Sequence, residues 1–170
     1  NVCMFIMYEF YMINDELKNY TEEAKKAVVP TNDFVFKRIF GMEGNEEITK
    51  DLLSSIIEDE IVSINLEKTP IMNGDIIDDK TNILDIRAEL NNKVKVDIEV
   101  QMASQDYIEE RILYYWAKLY TRTVLKGEVY EEAKRTIAIL IANFEIDNLK
   151  EIEKYHTKWK ILETEISKKV

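Results

Sequence analysis

Polar and apolar residues alternate over 84–90 and again over 93–101, which predicts two β-strands joined by a tight turn. Side chains of a strand point alternately to opposite faces, so each strand has an apolar side for a core and a charged side. The charged side is rich in acids. Its members are Asp85, Arg87 and Glu89 in the first strand, and Lys93, Lys95, Asp97, Glu99 and Gln101 in the second.

The same alternation predicts the register of this hairpin. A two-residue loop would mix the two faces, because a one-residue slip turns every side chain over. A three-residue loop over 91–93 pairs Arg87 with Asp97 and Asp85 with Glu99, and its asparagines tolerate a left-handed backbone. Opposed residues have Cβ atoms roughly 4.5–5.5 Å apart, so two carboxylates there repel each other unless a cation lies between them. The hairpin therefore predicts half of a divalent-metal site.

Helices are predicted on both sides of the hairpin. Asn45 is a candidate N-cap for a helix over 46–58, whose apolar stripe begins at Ile48. Apolar residues at helical spacing predict a longer helix from about 105 to 126, with Gly127 where a C-terminal cap belongs. Residues 14–29 form a weaker helical pattern or a tail. Phe34, Phe36 and Phe40 are predicted to lie in the core.

Two further strands complete the predicted sheet. Pro70 interrupts the segment 61–72, which favours an outer strand. The continuous apolar run within 135–144 is typical of a strand buried on both faces. Residues 145–170 are charged and ambiguous. The order of these elements predicts an α/β layer, with helices flanking a mixed sheet.

Composition limits the chemistry. The 170 residues are 46% hydrophobic and 33% charged, as in an ordinary folded domain. The lone Cys3 excludes a disulfide scaffold and fits a reducing cytosol, and the lone His156 excludes a multi-histidine metal centre. A metal here must be held by oxygen, which favours Mg²⁺ or Mn²⁺. The net charge of −10 argues against a bulk electrostatic nucleic-acid binder but allows a local basic groove.

We interpret the chain as a short extension followed by one domain. Residues 1–13 are apolar but too short to span a bilayer, and we expect this extension to be dispensable. Residues 14–170 form the expected single domain, which ends without a clear stop and so fits a fragment of a longer protein. We expect a cytoplasmic protein with no membrane partner.

Four segments, in this order, resemble one known family. They read TNDFVFKRIFG at 31–41, LDIR at 84–87, DIEVQ at 97–101 and RILYY at 111–115. They are similar to the restriction-endonuclease-like PD-(D/E)xK nucleases, and within them to the transposase-associated, recombination-promoting branch. The resemblance implies an αβββαβ core with a mixed sheet, Mg²⁺-dependent cleavage of DNA, and one nuclease domain over most of the chain.

The resemblance also implies roles for residues. Asp85 and Glu99 would be the metal ligands, and Gln101 the third member of the catalytic set. Most of the superfamily has Lys where this chain has Gln101, although Gln is usual within this branch. An amide orients water by hydrogen bonds, so deprotonation would rest on the metal. Members often add an acid from the first helix, and Glu46 and Glu47 both remain candidates.

Basic residues line one flank of the long predicted helix. Arg111, Lys118 and Arg122 are the candidate DNA contacts, because a basic stripe on an acidic protein can bind phosphates. Each could equally be an exposed residue paired with a nearby glutamate. The aromatic residues of this helix, from Tyr114 to Tyr120, are interpreted as packing groups rather than base-stacking platforms.

These features predict a metal-dependent DNA endonuclease associated with recombination or transposition. The alternative is a catalytically inactive nuclease-like module that binds nucleic acid or protein in a mobile element or defence system. A third interpretation is an acidic domain that binds a partner in such a system. The sequence leaves open a homodimer that cuts both strands.

Overall fold

The computed structural model describes residues 2–8, 33–67, 86–124, 127–152 and 154–161. The strands within these ranges are β1 Val2–Tyr8, β2 Ile64–Leu66, β3 Ile86–Leu90, β4 Val94–Gln101, β5 Arg135–Ala142 and β6 His156–Trp159. The α-helices are α1 Asp33–Phe40, α2 Glu46–Ile57 and α3 Ile108–Thr121. Short 3-10 turns lie at Tyr130–Glu132 and Asp147–Leu149.

The strands form one mixed sheet in the order β2-β3-β4-β5-β1-β6. β2, β3 and β4 are antiparallel neighbours, whereas β5 is parallel to both β4 and β1. Parallel neighbours need a crossover connection, and α3 supplies it between β4 and β5. This is the mixed α/β sheet flanked by helices that the sequence predicts.

The predicted hairpin register is confirmed wherever the structure describes it. Arg87 pairs with Asp97, and Ile86 pairs with Ile98. The loop has the three predicted residues, and Asn91 (φ 50°) and Asn92 (φ 54°) adopt the left-handed backbone. Asp85 lies outside the described residues, so the predicted pair with Glu99 falls one step beyond the last described pair.

Two cores lie on opposite faces of the sheet. Ile137, Ile139 and Ile141 of β5 join one core, which is closed by Phe36 of α1 and by the buried residues of α2. The residues between them, Ala138, Leu140 and Ala142, face the second core under α3. The prediction of a strand buried on both faces is therefore confirmed for β5.

The start of α2 differs from its prediction. The Asn45 side chain does not cap the helix; its Nδ2 donates to the Ile39 carbonyl at 2.8 Å and so ties α2 to the end of α1. The Glu46 carboxylate instead accepts the Gly44 N–H, at 2.9 Å for the nearer oxygen. Ile48, predicted in the apolar stripe, is 50% exposed, because the buried face of α2 begins with Thr49 and Leu53.

Helix α3 is shorter than its prediction. It begins at Ile108 rather than near 105, after Tyr107 takes a left-handed backbone (φ 60°), and it ends at Thr121 with Arg122 as its cap. Gly127 has φ 96° but belongs to a later turn. The buried Trp116 satisfies its indole N–H by donating to the Thr136 carbonyl at 3.1 Å, which fixes α3 against β5.

The termini of the described chain are part of the sheet. β1 pairs along its length with β5 and over Met4 to Met7 with β6. A dispensable extension over 1–13 would not be expected to form a strand inside the sheet. Whether the segment is dispensable stays a prediction that a deletion experiment can test. β2 is an edge strand, as predicted for the segment containing Pro70, but the described strand covers only Ile64–Leu66. The helical pattern predicted over 14–29 lies outside the described residues.

Candidate active site

The charged face of β4 is covered by α3 rather than open to water. Asp97 is 4% exposed and Glu99 is 3% exposed, although both alternate with the core residues Val96, Ile98 and Val100. A buried charge is tolerated only when it is paired and hydrogen-bonded. The contacts of these two carboxylates therefore determine what this face can do.

Glu99 receives two donors on the same oxygen, Oε1. Gln101 donates from Nε2 at 2.7 Å, and Arg111 of α3 donates from Nη2 at 2.8 Å. The first donor comes from the same strand, two residues on, and therefore from the same face of the sheet. The second comes from the covering helix, so the carboxylate joins α3 to β4.

These three residues and Gln105 form a closed ring of hydrogen bonds. Gln105 donates from Nε2 to Gln101 Oε1 at 3.0 Å, and its own Oε1 accepts from Arg111 Nη1. Tyr115 supports the ring from outside, because its hydroxyl accepts from Arg111 Nε at 3.1 Å and its ring centre lies 5.4 Å from the guanidinium carbon. We call Glu99, Gln101, Gln105 and Arg111 the polar ring.

Beyond Glu99, the same face carries ion pairs toward the hairpin turn. Asp97 accepts from Arg87 Nε at 3.2 Å. Glu89 binds two lysines, Lys134 at 2.5 Å and Lys95 at 2.8 Å. The hydrogen bond from Lys134, followed by that from Lys95, lowers the pKa of Glu89. This end of the face is a network of opposite charges, whereas the polar ring gathers neutral amides around its one ion pair.

A comparison with known families matches residues 30–170 to the family described as PD-(D/E)XK nuclease family transposase. The match covers most of the 170 residues. The chain belongs to this family. Searches of curated proteins and of solved structures gave no match.

Family membership agrees with the mixed sheet and its flanking helices, which are consistent with a restriction-endonuclease-like fold. It also agrees with a role in nuclease or transposition chemistry, which implies a DNA substrate. Within the described residues, no helix is long and apolar enough to cross a membrane.

In this nuclease-family chain, the structure brings together Glu99 and Gln101, two of the three predicted catalytic residues. Asp85, the third, lies outside the described residues. The candidate helix acids have other contacts: Glu46 accepts from the Gly44 N–H, which lowers its pKa, and Glu47 pairs with Lys50. Both belong to α2, which packs against the face opposite Glu99.

The three predicted DNA-contact residues have different surroundings. The Arg111 guanidinium donates within the polar ring, so it serves the site rather than the surface. Arg122 is exposed, and the Lys118 ammonium lies 5.9 Å from the ring centre of Tyr114. Tyr114 is itself 60% exposed and so is not a core residue, although its ring packs beside that of Tyr115, with ring centres 5.8 Å apart. Trp116 is buried as interpreted, and Tyr120 stacks on it with ring centres 5.3 Å apart.

Sequence reasoning missed Gln105 and the support from Tyr115. Arg111 and Tyr115 are one helical turn apart, a spacing at which side chains meet, so their contact had a signal. No sequence signal indicated the contact of Gln105. This residue lies in the loop between β4 and α3, where neither helical nor strand periodicity relates it to Gln101.

The oxygen-rich donor set suits a hard divalent cation, as PD-(D/E)XK nucleases generally use. In the described ranges, no three His, Cys, Asp or Glu side chains cluster closely enough to hold a metal, and these ranges exclude Asp85. Carboxylate and amide oxygens are ligands that Mg²⁺ and Mn²⁺ accept. Among the described residues of the polar ring, the Glu99 carboxylate on β4 has the chemistry to bind such an ion, and a complete site would need further ligands from outside the described ranges.

Proposed function

We propose that this protein is a divalent-metal-dependent DNA endonuclease that hydrolyses phosphodiester bonds in recombination or transposition. It would act in the cytoplasm, where the single Cys3 stays reduced. The observation that carries the proposal is the Glu99 carboxylate, buried under α3 and held by Gln101 and Arg111. Glu99 is buried and held beside Gln101, the amide predicted to belong to the catalytic set. In a chain of a nuclease family, these are features of a metal ligand rather than of a solvated surface acid.

Asp85 and Glu99 would hold Mg²⁺ or Mn²⁺. The described ladder supports this pairing, since it runs to Ile86 and Ile98 and the same register continued by one residue would pair position 85 with Glu99. When bound, the cation makes water more acidic and offsets charge on the phosphate.

The side chains of the polar ring orient the reactants. Gln101 can hold the attacking water by hydrogen bonds but cannot remove its proton, because an amide does not titrate. The water oxygen would form a bond to phosphorus while the bond to the leaving oxygen breaks. One proton of the water would pass to solvent, and the leaving oxygen would take a proton from solvent to become a hydroxyl.

DNA would lie across the exposed side of α3. Lys118 and Arg122 are the proposed phosphate contacts, with Tyr114 beside Lys118. Contacts to phosphates position a duplex without reading its sequence, so we propose low sequence specificity.

Nicking of supercoiled plasmid DNA tests the proposal. The wild-type chain should convert plasmid to the nicked form with Mg²⁺ or Mn²⁺ and not with excess chelator. Glu99→Gln keeps an acceptor oxygen for Gln101 and Arg111 but removes the charge that binds a cation. This variant and Asp85→Ala should each lose activity by roughly 100-fold or more.

The matched control is Glu89→Gln. It makes the same chemical change on the same face of the hairpin, but within the lysine network near the turn. It should nick plasmid at the wild-type rate, and circular dichroism should show that all variants are folded. Absence of nicking and of any metal-induced rise in Tm in the wild type would replace the proposal with a non-catalytic nucleic-acid-binding or protein-interaction module.

A further inference from the structure

We propose that Gln105 and Arg111 are positioning residues that fix the Gln101 amide with its nitrogen toward Glu99. This inference deepens the proposed function and rests on it for its catalytic meaning. The observation is the closed polar ring, in which each of the four side chains contacts the next.

The ring permits one orientation of each amide. A guanidinium only donates hydrogen bonds and a carboxylate only accepts them, whereas an amide donates at one end and accepts at the other. Arg111 donates to Gln105, so the oxygen of Gln105 must face Arg111. Its nitrogen then faces the oxygen of Gln101, which leaves the nitrogen of Gln101 toward Glu99.

Turning either amide over is unfavourable. If Gln101 alone is turned, its oxygen meets the Glu99 carboxylate and its nitrogen meets that of Gln105. If both amides are turned, the Gln105 nitrogen meets the Arg111 guanidinium. The penalty is largest at Glu99, where a buried charge would lose its donor, whereas the contacts of Gln105 lie at the exposed edge of the ring. The charged members at the two ends of the amide pair therefore set the direction of both amides.

Arg111 is itself held in place. Tyr115, one turn later on α3, accepts from its Nε and lies beside the guanidinium. Glu99 is 3% exposed, so breaking its ion pair with Arg111 would leave a buried charge uncompensated. The ion pair between Arg111 and Glu99 therefore fixes the direction in which the hydrogen bonds of the ring run.

The orientation has a chemical consequence at position 101. Most of the superfamily that this chain resembles has Lys there, and an ammonium has only donors. A free amide could present either end. The polar ring permits only one orientation of the amide. Gln101 therefore directs its N–H donors toward Glu99, as the ammonium group of a Lys at this position would. One hydrogen of Nε2 binds Glu99, and the other can hold the attacking water or a phosphate oxygen.

Gln105→Glu tests this orientation with almost no change of shape. The new carboxylate still accepts from Arg111 but can no longer donate to Gln101. Gln101 then lies between two carboxylates and must direct its oxygen at one of them, so the ring no longer holds this amide in its wild-type orientation. We expect the kcat for plasmid nicking to fall by about 10–100-fold, the range seen when groups supporting a metal ligand are removed.

The control is the same substitution in a Gln101→Lys background. Lysine carries only donors, so its orientation does not depend on a donor at position 105. The fall in kcat caused by Gln105→Glu should therefore be at least about tenfold smaller in the Gln101→Lys background. A general effect of the added negative charge on DNA or metal binding would lower activity equally in both backgrounds. Equal losses would overturn the proposal, as would an unchanged kcat in the Gln101 background.

A second measurement needs neither metal nor activity. In the metal-free wild type, the side-chain NH₂ hydrogens of Gln101 should show a nuclear Overhauser effect to the Arg111 guanidinium hydrogens, because both groups donate to Glu99 Oε1. Gln105→Glu should weaken it. If the effect is present but the wild type does not nick DNA, the proposed function fails and the ring stands. If it is absent from a folded wild type, the orientation is wrong whatever the activity.

Discussion

Two glutamates on one face of the hairpin, Glu89 and Glu99, show that the neighbouring side chains determine whether a carboxylate is structural or available as a ligand. Glu89 lies between two lysines near the turn, where its charge is matched locally. Glu99 lies under α3, where it is held by one arginine and one amide. The first arrangement is that of a structural ion-pair network. The second keeps a buried charge oriented, which is what a metal ligand requires.

Glu89→Gln should lower stability in a pH-dependent way. The two lysines lower the pKa of Glu89 in the folded protein, so its contribution to stability is present above the ordinary carboxyl pKa and is lost as the pH falls through the lower, folded value. We expect the variant to lose about 1 kcal/mol at neutral pH, as for other ion-pair networks near the surface. Urea unfolding should show this difference shrinking toward zero in acid.

The control for this experiment is Glu60→Gln, which makes the same change at an exposed position between α2 and β2. Its unfolding free energy should stay close to the wild-type value across the pH range. A Glu89→Gln difference that persists at low pH would show that the lysines are not its cause.

At the scale of elements, the local patterns predicted the hairpin best. Alternation determined its register, because any slip would have exposed Ile86 and buried Arg87. Helix ends were less predictable. Asn45 has the right residue type for a cap but binds the Ile39 carbonyl of the preceding helix, a choice that depends on how α1 and α2 pack.

The candidate site was predicted only in part for the same reason. Glu99 and Gln101 share one strand face, so their proximity follows from a period of two. Arg111 was predicted to contact DNA because its helix flank is basic, but the docking of α3 on β4 turns it inward to Glu99. Contacts between elements distant in sequence carry no periodic signal, and they complete this site.

The position of β1 makes a second stability prediction. Because β1 is paired on both sides between Met4 and Met7, each backbone N–H in that stretch faces a neighbouring strand. Phe5→Pro removes one such donor from an interior strand and should clearly lower the Tm. Phe5→Val keeps the N–H and a strand-forming side chain, so it should have a clearly smaller effect on thermal unfolding. No loss of stability in either variant, or a deletion of residues 1–11 that leaves Tm unchanged, would favour a dispensable segment.

In the whole molecule, one face of the sheet carries the larger core and the other carries the candidate site. One face packs against α1 and α2 in the larger core. The other packs against α3, and the polar ring lies beneath the start of that helix. The net charge of −10 repels DNA at a distance, so binding must rest on a few local cations. Lys118 and Arg122, on the last turn and cap of α3, are those we propose.

Removing these two cations should therefore change the salt dependence of DNA binding more than its sequence preference. The logarithm of affinity falls with the logarithm of salt concentration by about 0.9 per phosphate contact. The Lys118→Ala/Arg122→Ala variant should thus have a slope shallower by about 1.8. Fluorescence anisotropy with a labelled duplex measures this slope, in a Glu99→Gln background so that the DNA is not cut.

A matched pair of substitutions separates local contact from overall charge. Arg38→Ala/Lys50→Ala also removes one arginine and one lysine, but from α1 and α2 on the opposite face of the sheet. Both double variants change the net charge equally, so a purely global effect would lower affinity alike in the two. If DNA lies along α3, only the Lys118→Ala/Arg122→Ala variant flattens the slope. The same slope in both variants would place the duplex elsewhere on the protein.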